Sequence, residues 1–160
     1  LLQAALQGLD IGLLSEAGMP AVADPGSSLV RAAHDLGLAV VPLVGPCSLV
    51  LALAASGLNG QSFAFVGYVP QDSAQRSLQL AALEKLALQS GQTQILIETP
   101  YRNAAVMTAM LGAFKDSTRL AVCSGLTLPQ MQIQSLRVAD WKRLQTTLDK
   151  HTPVVFAFGP

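Results

Sequence analysis

Two turns that combine glycine, proline and small polar residues hold the side chains and backbone groups best suited to bind a ligand. The residues concerned are Ser15, Glu16, Ala17, Gly18 and Met19 in the first turn, and Cys47 and Ser48 in the second. Backbone in such turns offers fixed donors and acceptors, and glycine permits close approach. Neither turn carries the GxxxxGK[ST] or GxGxxG pattern of a phosphate loop. The turns therefore predict a backbone-built ligand site without naming the ligand.

Covalent and metal chemistry have weaker support in the sequence. Cys47 has no histidine near it in the chain, so a small residue at a helix start is the better interpretation than a nucleophile. Cys47 and Cys123 are far apart and lack CxxC spacing, which indicates neither a disulfide framework nor a zinc site. We therefore expect no metal.

The elements that position the two turns form one α/β unit. Apolar runs at residues 11–14 and 38–43 predict two buried parallel strands, and residues 28–36 between them have helical spacing. Each strand ends in one of the turns. Because a right-handed crossover brings like strand ends together, both turns are expected at one edge of the sheet, where ligands bind in such folds. An apolar helix over residues 49–56 follows.

A polar break at residues 58–61 predicts the boundary between a first domain, residues 1–58, and a second α/β domain, residues 59–160. The second domain is expected to hold three helices and a five-stranded mixed sheet, with strands at residues 63–67, 94–98, 119–124, 132–138 and 154–158. Ser73 is the predicted cap of a helix over residues 74–88. Its predicted apolar side consists of Leu78, Ala81, Ala82 and Leu86.

Composition and charge limit the protein class. The chain of 160 residues is 51% hydrophobic and 12% charged, as in a globular protein. No apolar run reaches the ~18 residues of a membrane span, and residues 1–10 lack a signal-peptide pattern, so a cytoplasmic location is expected. Residues 1–58 have a net charge of −3 and residues 59–160 one of +3. This spread of charge is weak support for nucleic-acid binding.

Five segments together resemble the tetrapyrrole methylase superfamily, in the branch of small-subunit ribosomal RNA ribose 2'-O-methyltransferase-like proteins. The segments are SEAGMPAVADPGSSLV, PLVGPCS, ASGLNGQSFAFVGYVP, GQTQILIETPYRN and VADWK. The resemblance implies two α/β domains with a cofactor cleft between them, S-adenosylmethionine as the cofactor and a homodimer. In that family a strand and helix region precedes the part that matches Leu1, so we expect the first domain to be incomplete here.

The resemblance also assigns residues to the site. It implies cofactor contacts from the two turns named above and from backbone in the second domain, at Ile97, Glu98, Leu126, Pro153 and Val154. Position in the chain, and not the resemblance, suggests three substrate contacts: Tyr101 and Arg102, which lie at a predicted strand end and helix start, and Tyr68, which ends the GYVP turn. Glu98 is equally able to pair with Arg102. Ordinary packing in a sheet and its turns remains the alternative for each of them. The catalytic base stays unknown.

One segment departs from the ribosomal RNA enzymes. Those proteins carry an acidic residue and a lysine in the region of residues 124–128, whereas this chain reads CSGLTLPQMQIQS there and has no charge between Arg119 and Arg137. The resemblance makes ribosomal RNA one expected partner, but this departure leaves the role of the segment in substrate binding, and the acceptor, open. A methylase of tetrapyrroles or other small molecules, and a non-catalytic cofactor-binding module, remain as alternatives.

Overall fold

The computed structural model describes residues 1–144 and 146–160. They form two compact units, Leu1–Cys47 and Ser48–Pro160. Helix α3 (Ser48–Ser56), which the sequence assigns to the first domain, lies in the second unit. The division into domains of residues 1–58 and 59–160 stays a prediction.

The first unit contains a short helix, α1 (Gln3–Leu6), and a longer one, α2 (Ser27–Asp35). Gly26 precedes α2, and Gly37 follows it with a φ of +70°, so that the Gly37 amide donates to the carbonyl of His34 at 3.0 Å. A left-handed residue just after a helix is a common stop, and it favours glycine. The predicted helix over residues 28–36 is confirmed.

The prediction of two strands in the first unit is wrong, because neither is observed among the described residues. Residues 11–14 and 38–43 form no ladder, and Leu14 and Leu43 are 89% and 79% exposed. A parallel strand is stable only where its amides and carbonyls bond a neighbouring strand. Neither segment has such a neighbour among the described residues, so the apolar runs stay uncovered.

The second unit contains the predicted five-stranded mixed sheet. Its strands are β1 (Phe63–Phe65), β2 (Thr93–Glu98), β3 (Arg119–Ser124), β4 (Gln132–Arg137) and β5 (Val154–Gly159). The strand order is β1-β2-β5-β3-β4, in which only the β1–β2 pair is parallel. Because Val154 pairs with both Glu98 and Ser124, one edge of the sheet collects the ends of β2 and β3 and the start of β5.

The three helices predicted for the second domain are observed, and they cover one face of this sheet. They are α4 (Ser73–Ser90), α5 (Asn103–Ala113) and α6 (Val138–Trp141), and a 3-10 turn, Pro100–Arg102, leads into α5. The core beneath them includes Phe114 and Phe158, with ring centroids 4.6 Å apart. The indole nitrogen of Trp141, which is almost fully buried, donates to the carbonyl of Leu120 at 2.8 Å.

The predicted apolar side of α4 is wrong. Leu78 and Leu86 are exposed, whereas Leu80, Glu84 and Ala87 are buried. Apolar residues lie on both sides of this helix, so hydrophobic spacing does not choose a face. Glu84 determines which face is buried, because its carboxylate accepts hydrogen bonds from the amide of Lys115, at 2.6 Å, and from the hydroxyl of Thr118.

The N-terminal cap of α4 also differs from the prediction. The cap is Asp72 and not Ser73, since the Asp72 carboxylate accepts from the Gln75 amide at 2.9 Å.

The other face of the sheet is packed against α3, whose Leu49, Ala52 and Leu53 are buried. The thiol of Cys123 lies 3.9 Å from the carbonyl oxygen of Ala52, to which it donates. Across the described residues, no helix is both long and apolar enough to cross a bilayer.

Candidate functional site

The turn at residues 15–19 is closed by Ser15. Its hydroxyl lies 3.0 Å from the carbonyl oxygen of Ala17 and 2.9 Å from that of Gly18, to which it donates. Gly18 has a φ of +79°, in the left-handed region that favours glycine. In the described chain, the amides of residues 15–19 donate no hydrogen bond. Backbone amides without an internal partner are a donor set that fits a carboxylate ligand.

The two sequence-predicted turns lie against each other within the first unit. A Cβ atom on Gly18 would lie 3.6 Å from the carbonyl oxygen of Pro46, and one on Gly45 would lie 3.3 Å from Cγ of Met19. Glu16 and Ala17 are exposed, and Cys47 is half-buried at the end of the second turn. The turns thus meet even though the strands predicted to carry them are absent. Ser48 follows as the exposed first residue of α3.

The site residues predicted in the second unit share one edge of its sheet. Ile97 and Glu98 end β2, Val154 begins β5 after Pro153, and Leu126 follows β3. The amide of Gly125 donates to the carbonyl of Pro153 at 2.9 Å, which joins the last two of these segments. Their role in cofactor binding stays a prediction.

The carboxylate of Glu98 is buried beside Arg102 and Thr99. Its side chain is 1% exposed and lies 3.2 Å from a guanidinium nitrogen of Arg102, and its second oxygen accepts from the Thr99 amide at 2.8 Å. Of the two interpretations left open for this pair, the ion pair is the one observed. Glu98 is therefore not placed to take a proton from a substrate.

Two arginines fix the turn that follows Tyr68. Arg102 and Arg76 both donate to the carbonyl of Pro70, at 3.2 and 3.3 Å, and Arg76 also donates to the carbonyl of Gln71 at 2.9 Å. Tyr68 and Tyr101 remain exposed, Tyr101 by 70%. Arg76 was not singled out in the sequence, because nothing local indicates that its partners are backbone carbonyls of a preceding turn.

The charge-free segment after β3 forms a compact turn. The Leu128 amide donates to the carbonyl of Gly125 at 2.9 Å, and the Met131 amide donates to the carbonyl of Leu128 at 3.0 Å. Leu128 and Met131 are exposed. The residues described contain no group of three or more His, Cys, Asp or Glu side chains arranged to hold a metal ion.

The two cysteines should differ in reactivity. Burial raises the pKa of the Cys123 thiol to about 11, whereas Cys47 is half-buried in the second turn. Since the thiolate is the reactive form, we expect iodoacetamide at pH 8 to label Cys47 at least about tenfold faster than Cys123. Mass spectrometry of the labelled peptides measures both rates. Rapid labelling that persists in a Cys47→Ser variant would contradict this expectation.

Comparison with known proteins shows a family match over most of the chain. Residues 1–141 match the family of tetrapyrrole (corrin/porphyrin) methylases. The chain is 36% identical over 135 residues to a ribosomal RNA small subunit methyltransferase I from Vibrio cholerae, covering 84% of this chain and 46% of that protein. The protein of the same name from Pseudomonas aeruginosa is 34% identical over 155 residues, covering 95% and 54%. The chain thus spans about half the length of these relatives.

Solved structures of low sequence identity show the same fold. The methyltransferase CobJ is 16% identical and superposes with a TM-score of 0.63, covering 99% of this chain and 67% of that one. Uroporphyrin-III-C-methyltransferase from Thermus thermophilus is 24% identical, with a TM-score of 0.53 and coverage of 89% and 60%. A structure of uroporphyrin-III C-methyl transferase from the same organism, complexed with S-adenosyl homocysteine, is 17% identical, with a TM-score of 0.50 and coverage of 89% and 62%.

Proposed function

We propose that the protein transfers methyl groups from S-adenosylmethionine, on the premise that this chain belongs to the family of tetrapyrrole (corrin/porphyrin) methylases. The observation that carries the proposal is the contact between the turns at residues 15–19 and 45–47, with their unused amides. The cofactor, when bound, supplies a methyl group already activated by its positively charged sulfur. The protein then has to bind the cofactor, orient the acceptor and assist loss of the acceptor's proton.

Within the first unit, we assign the methionyl end of the cofactor to the turn at residues 15–19. Ala17, Gly18 and Met19 present their backbone to it, and Ser15 holds the turn in shape from behind. Glu16 is exposed beside them, and Cys47 is the contact proposed from the second turn. Ser48, the first residue of the second unit, is proposed as a further contact. Support comes from the unused amides, since a carboxylate is best held by several backbone N–H groups.

Within the second unit, we assign backbone at the shared sheet edge to the adenine and methionine parts of the cofactor. The segments are Ile97–Glu98, Leu126 and Pro153–Val154. Backbone is the suitable contact there, because the Glu98 side chain is already engaged by Arg102 and Thr99.

We propose small-subunit ribosomal RNA as the acceptor, methylated at a ribose 2'-oxygen. The relatives that carry the name ribosomal RNA small subunit methyltransferase I support the RNA, and the exposed rings of Tyr68 and Tyr101 are suited to stacking against unpaired bases. Arg102 contributes by fixing the turn after Tyr68, since its guanidinium already binds Pro70 and Glu98. With ribosomal RNA as the acceptor, we propose a cytoplasmic location.

A small-molecule acceptor such as a tetrapyrrole is the second candidate. The turn after β3 carries no charge and exposes Leu128 and Met131, which suits an apolar macrocycle better than a phosphate backbone.

Methyl transfer from labelled cofactor distinguishes the candidates. We expect label in small-subunit ribosomal RNA isolated unmethylated, and none when uroporphyrinogen is offered instead. The reverse result would select the small-molecule acceptor, and binding of S-adenosylhomocysteine without any transfer would select the non-catalytic module. Protection of Cys47 from iodoacetamide by S-adenosylhomocysteine tests the cofactor site independently of the acceptor.

We also propose that the protein is a homodimer. Apolar side chains exposed on the second unit, Leu78 by 73% and Leu86 by 46%, lie two helical turns apart on one side of α4 and support an association surface. Sedimentation of the natural full-length protein at micromolar concentration should show a dimer, and Leu78→Glu should weaken it. Ser77→Glu is the control, because Ser77 is exposed on the same helix but lies about 100° around the helix axis from Leu78. A stable monomer would contradict the proposal.

A further inference from the structure

Asn103 is a fully buried amide whose capacity for hydrogen bonds is largely unused. It begins α5 and is 0% exposed. Its Nδ2 donates to the carbonyl oxygen of Thr152 at 3.2 Å, across 49 residues of sequence, and its Oδ1 has no partner among the described residues. A buried polar group that is only partly satisfied destabilises a core relative to an apolar residue of similar size. Stability alone therefore does not account for an asparagine here.

Thr152 is the centre of a small network at the sheet edge. Its hydroxyl donates to the carboxylate of Asp149 at 2.5 Å, and its methyl group would lie 3.2 Å from a Cβ on Gly125. Pro153, the next residue, accepts from the Gly125 amide at 2.9 Å. The carbonyl held by Asn103 thus belongs to the peptide between Thr152 and Pro153, and the next bond reaches the turn that contains Leu126.

The geometry points to Asn103 as a positioning residue that holds the Thr152–Pro153 peptide, and through it the Gly125–Leu126 turn, in the arrangement that binds the cofactor. The inference rests on the proposed function, since Leu126, Pro153 and Val154 are cofactor contacts only under that proposal. Asn103 is not a catalytic residue, because its one observed bond is to backbone. A hydrogen bond within one loop orders that loop alone, whereas the Asn103 amide orders both of these segments.

Asn103→Leu removes the donor and keeps the number and branching of the side-chain heavy atoms. In the natural full-length protein without ligand, we expect hydrogen exchange of peptides over residues 123–128 and 149–154 to rise at least about tenfold. We expect Kd for S-adenosylhomocysteine, measured by calorimetry, to rise at least about tenfold as well. Asn59→Leu is the matched control, because Asn59 Nδ2 makes the same kind of bond to the carbonyl of Gly91 at 2.9 Å. Gly91 precedes β2, at its other end.

Asn103→Asp tests the hydrogen bond through a pH dependence of cofactor affinity, which a loss of packing alone would not produce. A buried carboxylate cannot donate to the Thr152 carbonyl, but its protonated form can, and burial raises the pKa of such a carboxyl group. Affinity of this variant for S-adenosylhomocysteine should therefore be low at pH 8 and recover as pH falls, while the parent and Asn103→Leu show no such recovery.

The outcomes separate this inference from the proposed function. A parent protein that fails to bind S-adenosylhomocysteine overturns the cofactor proposal, and the exchange data still decide whether Asn103 orders the two segments. A parent that binds, together with Asn103→Leu and Asn103→Asp variants that bind within about twofold of it at every pH, overturns the positioning role.

Discussion

Gly18→Val is expected to abolish binding of S-adenosylmethionine while the second unit stays folded. Gly18 has a φ of +79°, a conformation that costs a residue with a Cβ atom about 1–2 kcal/mol and a β-branched residue more. The added side chain would also stand where the proposed methionyl contact approaches the backbone. We expect Kd to rise at least about 100-fold, or about 2.8 kcal/mol. Calorimetry measures Kd, and calorimetric melting of the same preparation measures stability.

Gly37→Val is the matched control for this substitution. Gly37 lies in the same unit, has a φ of +70°, and has no atom within 4 Å of the position that a Cβ would occupy. Both variants bear the same backbone strain, but only Gly18 belongs to the proposed site. If the two variants lose cofactor affinity equally, the binding loss is a by-product of instability. If Gly18→Val binds as tightly as the parent, the assignment of the turn at residues 15–19 is wrong.

The sequence predicts the second unit well because its signals are local. Each strand is a short run of apolar residues, or of alternating apolar and polar residues as in β4, and residues 119–124 were predicted with the bounds that β3 has. The helix over residues 28–36 was predictable for the same reason, since Gly26 and Gly37 flank it. Family resemblance was not needed for these elements.

What the sequence did not predict depends on partners remote in the chain. The buried side of α4 follows from Glu84, whose partners Lys115 and Thr118 are 31 and 34 residues away. The apolar runs at residues 11–14 and 38–43 have the composition of core strands, but composition predicts burial only where a neighbouring strand is present. Asn103 was missed because its partner, Thr152, is 49 residues away and contributes only a carbonyl.

Arg102→Ala is expected to destabilise the second unit by about 3–5 kcal/mol, the usual cost of removing one partner from a buried ion pair. The Glu98 side chain is 1% exposed, and its Oε2 atom makes no hydrogen bond among the described residues, so Arg102 at 3.2 Å is its counter-charge. The same substitution removes a donor to the carbonyl of Pro70 and so loosens the turn beside Tyr68. Chemical denaturation of the purified variant measures the change in the free energy of unfolding.

Two comparisons test the electrostatic reason for this loss. Arg143→Ala breaks the pair of Arg143 with Asp140, whose side chains are 80% and 49% exposed, and should change the free energy of unfolding by no more than about 1 kcal/mol. The double variant Glu98→Gln with Arg102→Met removes both charges, and it should recover much of the stability that Arg102→Ala loses, because no buried charge is left unpaired. Should Arg102→Ala cost no more than Arg143→Ala, or should the double variant recover nothing, the pair is not the buried counter-charge described here.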